Sequence, residues 1–319
     1  MVKVAVLDDW QDIARESADW SELEARAEVS FFAGAFSGED EAAAALADFD
    51  IVLTMRERTP FPSSLITRLP RLRMIGITGG RNASLDLAAC KAQGITVSHT
   101  ESRGGGGSAT AELALGLLIA CARGITMGDA AIRAGGFQGG VPVGETLAGK
   151  TLGLIGLGRL GRMMAGYGHA LGMSVLAWSQ NLTPIAASQS GVDYATKEDL
   201  LAKADAVSLH LVLSDRTRGI LGADDLARMK PRAILINTSR AGLVDQAALL
   251  AAVQSGRLRA GLDVFADEPL GANDPWRHAR HAVLTPHIGY GVAETWADFY
   301  PQSVENALAF LDGAPIRVV

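Results

Sequence analysis

Three ionisable residues, Arg240, Glu268 and His287, lie in the runs NTSRAGLVD, AGLDVFADEP and VLTPHIG, each of which passes from an apolar, strand-like stretch into a turn. A charge so placed sits at a strand end, which is where open α/β sheets build their sites. A guanidinium grips a carboxylate through two parallel hydrogen bonds, and an imidazole backed by a carboxylate moves a proton near neutral pH. The trio points to chemistry on a small acid bearing a polarised carbonyl or hydroxyl. Taken singly, each residue has a plainer reading as a core histidine, a surface ion pair or a loop acid. Their joint appearance after successive strands of one lobe carries the argument.

A second motif supplies the setting. TLGLIGLGRLGRMMAGYGHALG places Gly156, Gly158 and Gly161 in GxGxxG spacing, with Arg159 and Leu160 inside it, directly after a strand and at the start of a helix. The first glycine permits the tight turn, the second lets the backbone approach a pyrophosphate, and the third allows close helix packing. The helix N-terminus then offers NH groups to the phosphates. In a chain with 36 glycines such spacing alone is weak, and the strand-turn-helix context gives it weight. The next strand, SVLAWSQN, ends in Ser179 and Gln180, where an acid would hold the adenosine ribose of NAD. Ser179 removes a barrier to the 2′-phosphate of NADP, yet no arginine or lysine stands beside it in sequence to receive that phosphate. NAD(H) and NADP(H) both stay open.

The elements that must position these residues alternate short β-branched runs with helical stretches. KVAVL, VSFF, DIVLT, RMIGIT and GITVS fill the first hundred residues, and TLGLIG, SVLAW, AVSLHL, AILIN, AGLDVF and AVLTP fill the second half. This rhythm predicts an α/β protein of two doubly wound parallel-sheet lobes. Between them, Gly104 to Gly107 precede a long apolar helix, as a solvent loop or as a hinge between lobes. The last helical stretch, Glu294 to Leu311, has no obvious partner in the second lobe. The expected division is therefore 1–100 plus 288–319 against 101–287.

Composition bounds the rest. At 319 residues, with 48% hydrophobic and 20% charged residues, two lobes with real cores are expected. A net charge of −6 offers no basic face for nucleic acid. Cys90 and Cys121 lack ligand spacing and read as buried thiols, so no metal site is expected. MVKVAVLDDW reaches two aspartates too early for a signal peptide, and the apolar run Leu113 to Ala122 is too short to span a bilayer. A cytoplasmic protein without membrane partners is expected.

Taken in order, the motifs resemble the D-isomer-specific 2-hydroxyacid dehydrogenase family, which includes phosphoglycerate, glycerate and D-lactate dehydrogenases. The runs are GLGRLG at 156–161, SLHLVLSDRT at 208–217, MKPRAILINTSRAGLVD at 229–245, GLDVFADEP at 261–269 and TPHIG at 285–289. The resemblance implies a Rossmann NAD(P)-binding domain, a smaller flavodoxin-like substrate domain, and a small 2-keto or D-2-hydroxy acid as substrate. It implies that Arg240 binds the substrate carboxylate, that His287 exchanges a proton with the keto oxygen, and that Glu268 holds the imidazole. Asp263 would contact the nicotinamide carboxamide, and Thr110, His210, Thr238, Ser239 and Gly289 would line the cofactor cleft. A homodimer is implied, with the Leu113 to Ala122 helix and the arm through Phe137 as the contact. A dinucleotide-sensing binding protein, like the family's corepressors, is the competing reading.

Departures from the family pattern cluster at the substrate side. ITGGRNASLD puts Arg81 after Gly79 and Gly80, where a small residue is usual, as a surface arginine or as a charge at the pocket mouth. TMRERTP resembles the RxRT run that in phosphoglycerate dehydrogenases contacts a phosphate, so Arg56 and Arg58, with Arg81 and Arg103, suggest a substrate bearing a second anionic group such as 3-phosphoglycerate. Tyr290, close behind His287, either lines the pocket or packs on a helix.

Overall fold

The computed structural model describes residues 1–101 and 105–319; Arg103 and Gly104 lie outside the described residues. Contacts divide the chain into two compact units, Met1–Gly107 with Gly291–Val319, and Ser108–Tyr290.

The first unit is built on five strands, β1 (Val2–Val6), β2 (Ala27–Phe31), β3 (Ile51–Thr54), β4 (Met74–Ile77) and β5 (Thr96–His99). They form one sheet in the order β2-β1-β3-β4-β5, every pair parallel. All positions of β3 and β4 are buried, as a parallel sheet with both faces covered requires. Chain order reverses between β1 and β3, which makes the carboxyl ends of those two strands the switch point of this unit.

The helix Ala293–Leu311 belongs to the same unit. Gln302 exchanges two hydrogen bonds with the main chain of Glu101, and Asn306 donates to the His99 carbonyl, so polar side chains dock this helix beyond β5. Gly105–Gly107 forms a turn of 3-10 helix against it. A Cβ on Gly106 would lie 2.0 Å from Thr295 Oγ1, so a close approach requires this glycine.

The second unit carries seven strands: β6 (Thr151–Ile155), β7 (Ser174–Trp178), β8 (Asp193–Tyr194), β9 (Ala206–Leu209), β10 (Ile234–Asn237), β11 (Arg259–Leu262) and β12 (Ala282–Leu284). Their order is β12-β11-β10-β9-β6-β7-β8, with all pairs parallel and the switch point between β6 and β9. Successive strand residues enter different cores. Ile155, Val207 and Leu235 join one cluster, while Leu154, Ala206 and Ile234 join the other, as the two-residue period of a pleated strand dictates.

The helix Ala109–Arg123 covers one face of this sheet and buries Ala111, Ala114, Leu117, Leu118 and Ala122. One face of this helix is therefore covered by its own unit, while Leu113, Leu115 and Ile119 on it stay only partly buried. The exposed apolar residues follow it: the helix Ile125–Arg133 has no buried residue, and Phe137 and Val143 are 72% and 96% exposed. Among the described residues no single helix is long and apolar enough to cross a membrane.

Gly261 in β11 sets how closely the 109–123 helix approaches. A Cβ there would lie 2.7 Å from Ile236 Cδ1 and 2.9 Å from Leu117 Cβ. Gly261→Ala should cost roughly 1–3 kcal/mol in denaturant unfolding, the range for overpacking a filled core. An unchanged midpoint would show that the helix yields freely.

Candidate active site

The turn that ends β12 is braced from below. Asp263, buried just beyond β11, accepts from Thr285 Oγ1 (2.6 Å) and Ile288 N (2.9 Å) on Oδ1, and from Gly289 N (2.8 Å) on Oδ2. Burial pushes this carboxyl above the usual range, against those hydrogen bonds and the His287 charge, which pull it down. Thr110, at the start of the 109–123 helix, donates to the Gly289 carbonyl at 2.9 Å. A Cβ on Gly289 would lie 2.9 Å from Asp263 Oδ2, so glycine is needed for the brace to close.

The braced turn holds His287 at φ +54, a left-handed conformation that a non-glycine residue keeps only when its surroundings impose it. Its Nδ1 donates to Glu268 Oε2 at 2.5 Å. Glu268 is itself fixed, because Oε1 accepts from Phe265 N at 2.8 Å. One imidazole nitrogen is thus committed to the carboxylate, which fixes the orientation of the ring. The Tyr290 ring stands edge-on to the imidazole, with centroids 6.0 Å apart.

Arg240 leaves the end of β10 on a turn organised by Asn237, whose Oδ1 accepts from Ser239 N and whose Nδ2 donates to the Arg240 carbonyl. Ser239 Oγ ties this turn to the Leu209 carbonyl at the end of β9. Arg240 is half-buried, and its Nη1 donates to the Ser239 carbonyl. Arg240, Glu268 and His287 therefore follow three adjacent strands, β10, β11 and β12, at one edge of one sheet.

The carboxyl end of β6, in the middle of the same sheet, suits a dinucleotide. Gly156 has φ +100, and a Cβ on it would lie 2.5 Å from the His210 carbonyl; one on Gly161 would lie 2.1 Å from the Gly156 carbonyl. Both glycines are demanded by the turn itself. Gly158 has nothing within 4 Å of its Cβ position, so the backbone there is open to a phosphate. Gly158 is also the N-cap of the helix Arg159–Ala170 and brings no capping side chain to this helix N-terminus, the kind of helix end that receives phosphates. Two buried polar atoms beside this turn, His210 Nδ1 and Thr238 Oγ1, have no hydrogen-bond partner among the described residues, as expected of positions that a polar cofactor completes. Ser179 and Gln180 follow β7.

In the first unit the switch point carries the arginines. Arg56 has φ +53; its main-chain N donates to Thr78 Oγ1 and its Nη1 to the Thr78 carbonyl, so it ties β3 to β4. A Cβ on Gly79 would lie 2.0 Å from that Nη1, which explains the glycine, while Gly80 and Arg81 are exposed on the loop beyond. Asn82 fastens this loop to the Arg56 carbonyl. The sequence reading missed Asp8. It sits at the end of β1 with φ +59, is buried, and accepts from Thr59 N and Oγ1 on Oδ2, while Oδ1 has no partner among the described residues. The acidic doublet directly after an apolar strand was its only signal.

Asp8 and His210 respond oppositely to pH. Burial pushes Asp8 up from 3.8 to about 6, against hydrogen bonds from Thr59 and the Arg58 charge. The fold keeps a proton that the unfolded chain releases, so stability falls as pH rises from about 4 to about 6 and stays lost above. Asp8→Asn should gain on the wild type by up to about 3 kcal/mol between pH 4 and neutrality. Burial pushes His210 down from 6.5 to about 4, with Nε2 beside Ser208 Oγ at 2.9 Å. Its neutral form stabilises the fold above about 6.5, and that contribution is lost as pH falls towards 4. His210→Gln should therefore weaken the acid dependence by a similar amount, up to about 3 kcal/mol. Denaturant midpoints across pH read both, and parallel curves for wild type and variant would remove that residue from the account.

Residues 115–289 match the family model for the D-isomer specific 2-hydroxyacid dehydrogenase NAD binding domain. The chain is 36% identical over 252 residues to D-3-phosphoglycerate dehydrogenase of Mycobacterium leprae, a match covering 79% of this chain but 47% of that one, so it spans about half the length of that relative. It is 35% identical to glyoxylate reductase of Aeropyrum pernix, covering 78% of this chain and 76% of that protein. The crystal structure of phosphoglycerate oxidoreductase from Vibrio cholerae O395 superposes with a TM-score of 0.92 at 34% identity, covering 98% of this chain and 100% of that one. With its glycine turn, its His–Glu pair and its arginine on successive strands of a sheet that matches an NAD-binding domain, the chain belongs to the D-isomer-specific 2-hydroxyacid dehydrogenase family.

Proposed function

We propose that this chain is an NAD(P)-dependent D-2-hydroxyacid dehydrogenase acting as a 2-keto acid reductase in the cytoplasm. The observation that carries the reading is the His287–Glu268 pair, held in a strained, braced turn on the sheet that carries Arg240 and the glycine turn. When bound, the reduced nicotinamide supplies a hydride to the keto carbon. Arg240 binds the substrate carboxylate and draws electron density towards the keto oxygen. His287 gives its Nε2 proton to that oxygen as charge develops there, and Glu268 stabilises the imidazolium beforehand. In the oxidative direction the same nitrogen takes the proton back.

For the substrate we favour a small 2-keto acid with a second anionic group, such as the partner of 3-phosphoglycerate. Arg58, on the turn that Thr59 and Asp8 hold, supports this, as do relatives named phosphoglycerate dehydrogenase. Arg56 suits the role less well, since its guanidinium already bridges β3 and β4. A homodimer fits the exposed apolar residues of the 125–143 segment together with the partly buried Leu113, Leu115 and Ile119 of the preceding helix.

Purified protein given NADH or NADPH with glyoxylate, pyruvate, hydroxypyruvate and 3-phosphohydroxypyruvate should consume reduced nucleotide with at least one of them. His287→Ala should lower kcat by about 10²-fold or more, the scale for a positioned general acid, with nucleotide binding retained. Full turnover in that variant would refute the assignment.

A further inference from the structure

The loops after β7 and β9 meet at one point. Gln180, exposed just beyond β7, donates from Nε2 to the Arg216 carbonyl at 3.1 Å. The loop bearing Arg216 is also fixed from inside. Thr217 Oγ1 accepts from Ser214 N at 2.8 Å and donates to the Val212 carbonyl at 2.7 Å, and Arg218 N donates to the Ser214 carbonyl at 2.8 Å. Arg216 is left exposed on this pinned loop, while Arg218 lies against another neighbour, with Nη1 3.2 Å from the Cβ position of Gly242. Because β7 and β9 both flank β6, the Gln180–Arg216 bond spans the mouth of the glycine turn on its β7 side.

The chemistry of this corner is that of an anion acceptor. A carboxylate at the end of β7 would accept from both ribose hydroxyls and repel a phosphate ester. Here the position is Ser179, half-buried, and the first carboxylate downstream is Asp193, which pairs with Leu176 within the sheet rather than lying at the strand end. Asp215 is the one opposing charge on the 210–218 loop, against Arg216 and Arg218. A guanidinium and a hydroxyl, carried here on two loops that the Gln180–Arg216 bond joins, suit a phosphate monoester, which accepts two parallel hydrogen bonds, and have no matching group on an unphosphorylated ribose.

We infer that Ser179 and Arg216 receive the 2′-phosphate of NADP(H), that Gln180 positions Arg216 for it, and that this chain selects NADPH over NADH. The cation that sequence adjacency failed to supply comes from a loop 36 residues downstream. The inference rests on the dehydrogenase reading above and deepens it by assigning the cofactor.

Direct titration of the full chain with each reduced nucleotide, followed by fluorescence, tests it without turnover. Wild type should bind NADPH at least about tenfold more tightly than NADH. Arg216→Ala should weaken NADPH by roughly 10- to 100-fold, the range for hydrogen bonds to a charged group, and leave the Kd for NADH unchanged. Ser179→Asp should invert the preference, and Gln180→Ala should weaken NADPH alone, by less than Arg216→Ala does. Wild-type protein that binds NADH as tightly as NADPH would overturn the inference, as would equal losses for both nucleotides in Arg216→Ala, which mark a merely structural loop residue. Binding of neither nucleotide would instead bring down the dehydrogenase reading on which it stands.

Discussion

A single buried carboxylate fixes the geometry on which the rest of the site depends. Asp263 takes three hydrogen bonds from Thr285, Ile288 and Gly289, and that turn in turn holds His287 in a backbone conformation it would not choose alone. Burying a carboxylate away from water is unfavourable unless donors replace the lost solvation. Here the donors come from the segment that must be immobilised, so satisfying Asp263 and placing His287 are one event. The resemblance assigned Asp263 to the cofactor, and its own hydrogen bonds also hold the turn that carries His287. Glu268 repeats the device on a smaller scale, with one oxygen held by Phe265 N and the other by the imidazole.

The two units solve a common problem at their switch points. Where chain order reverses, neighbouring strands send their loops in opposite directions and leave a crevice at the carboxyl ends. In the second unit the crevice between β6 and β9 is lined by main-chain atoms, which is why Gly156 and Gly161 tolerate no side chain. In the first, the crevice between β1 and β3 is bridged by Asp8 and Thr59, and both Asp8 and Arg56 adopt left-handed backbone to turn away from their strands. Among the described residues six non-glycine residues have positive φ, and three of them, Asp8, Arg56 and His287, lie in these strand-end turns, where bracing sustains the conformation.

Much of this was legible in the sequence, for identifiable reasons. Strands such as TLGLI and AILIN announce themselves because a sheet covered on both faces needs unbroken apolar runs. The trio Arg240, Glu268 and His287 was readable because each ends such a run. Asp8 was not, because its meaning comes from Thr59, far along the chain, and a second acid after a strand looks like solvent-facing punctuation. The fate of the 109–123 helix was illegible for a related reason. An apolar helix face is the same in sequence whether its own sheet or another subunit covers it, and the closeness allowed by Gly261 identifies the face that meets this sheet.

Arg216 marks the limit of reading by adjacency. Specificity for a ribose substituent was sought in the residues directly after β7, since that strand end lies beside the glycine turn. A parallel sheet, however, brings together the ends of strands far apart in sequence, so a loop after β9 reaches across β6 to the residues that follow β7. The Gln180 amide is what makes this contiguity structural rather than incidental, because it commits a side chain of one loop to the main chain of the other. In a doubly wound sheet the charge a ligand meets is therefore set by every loop around the switch point, and a missing acid after one strand gains its meaning from the base supplied after another.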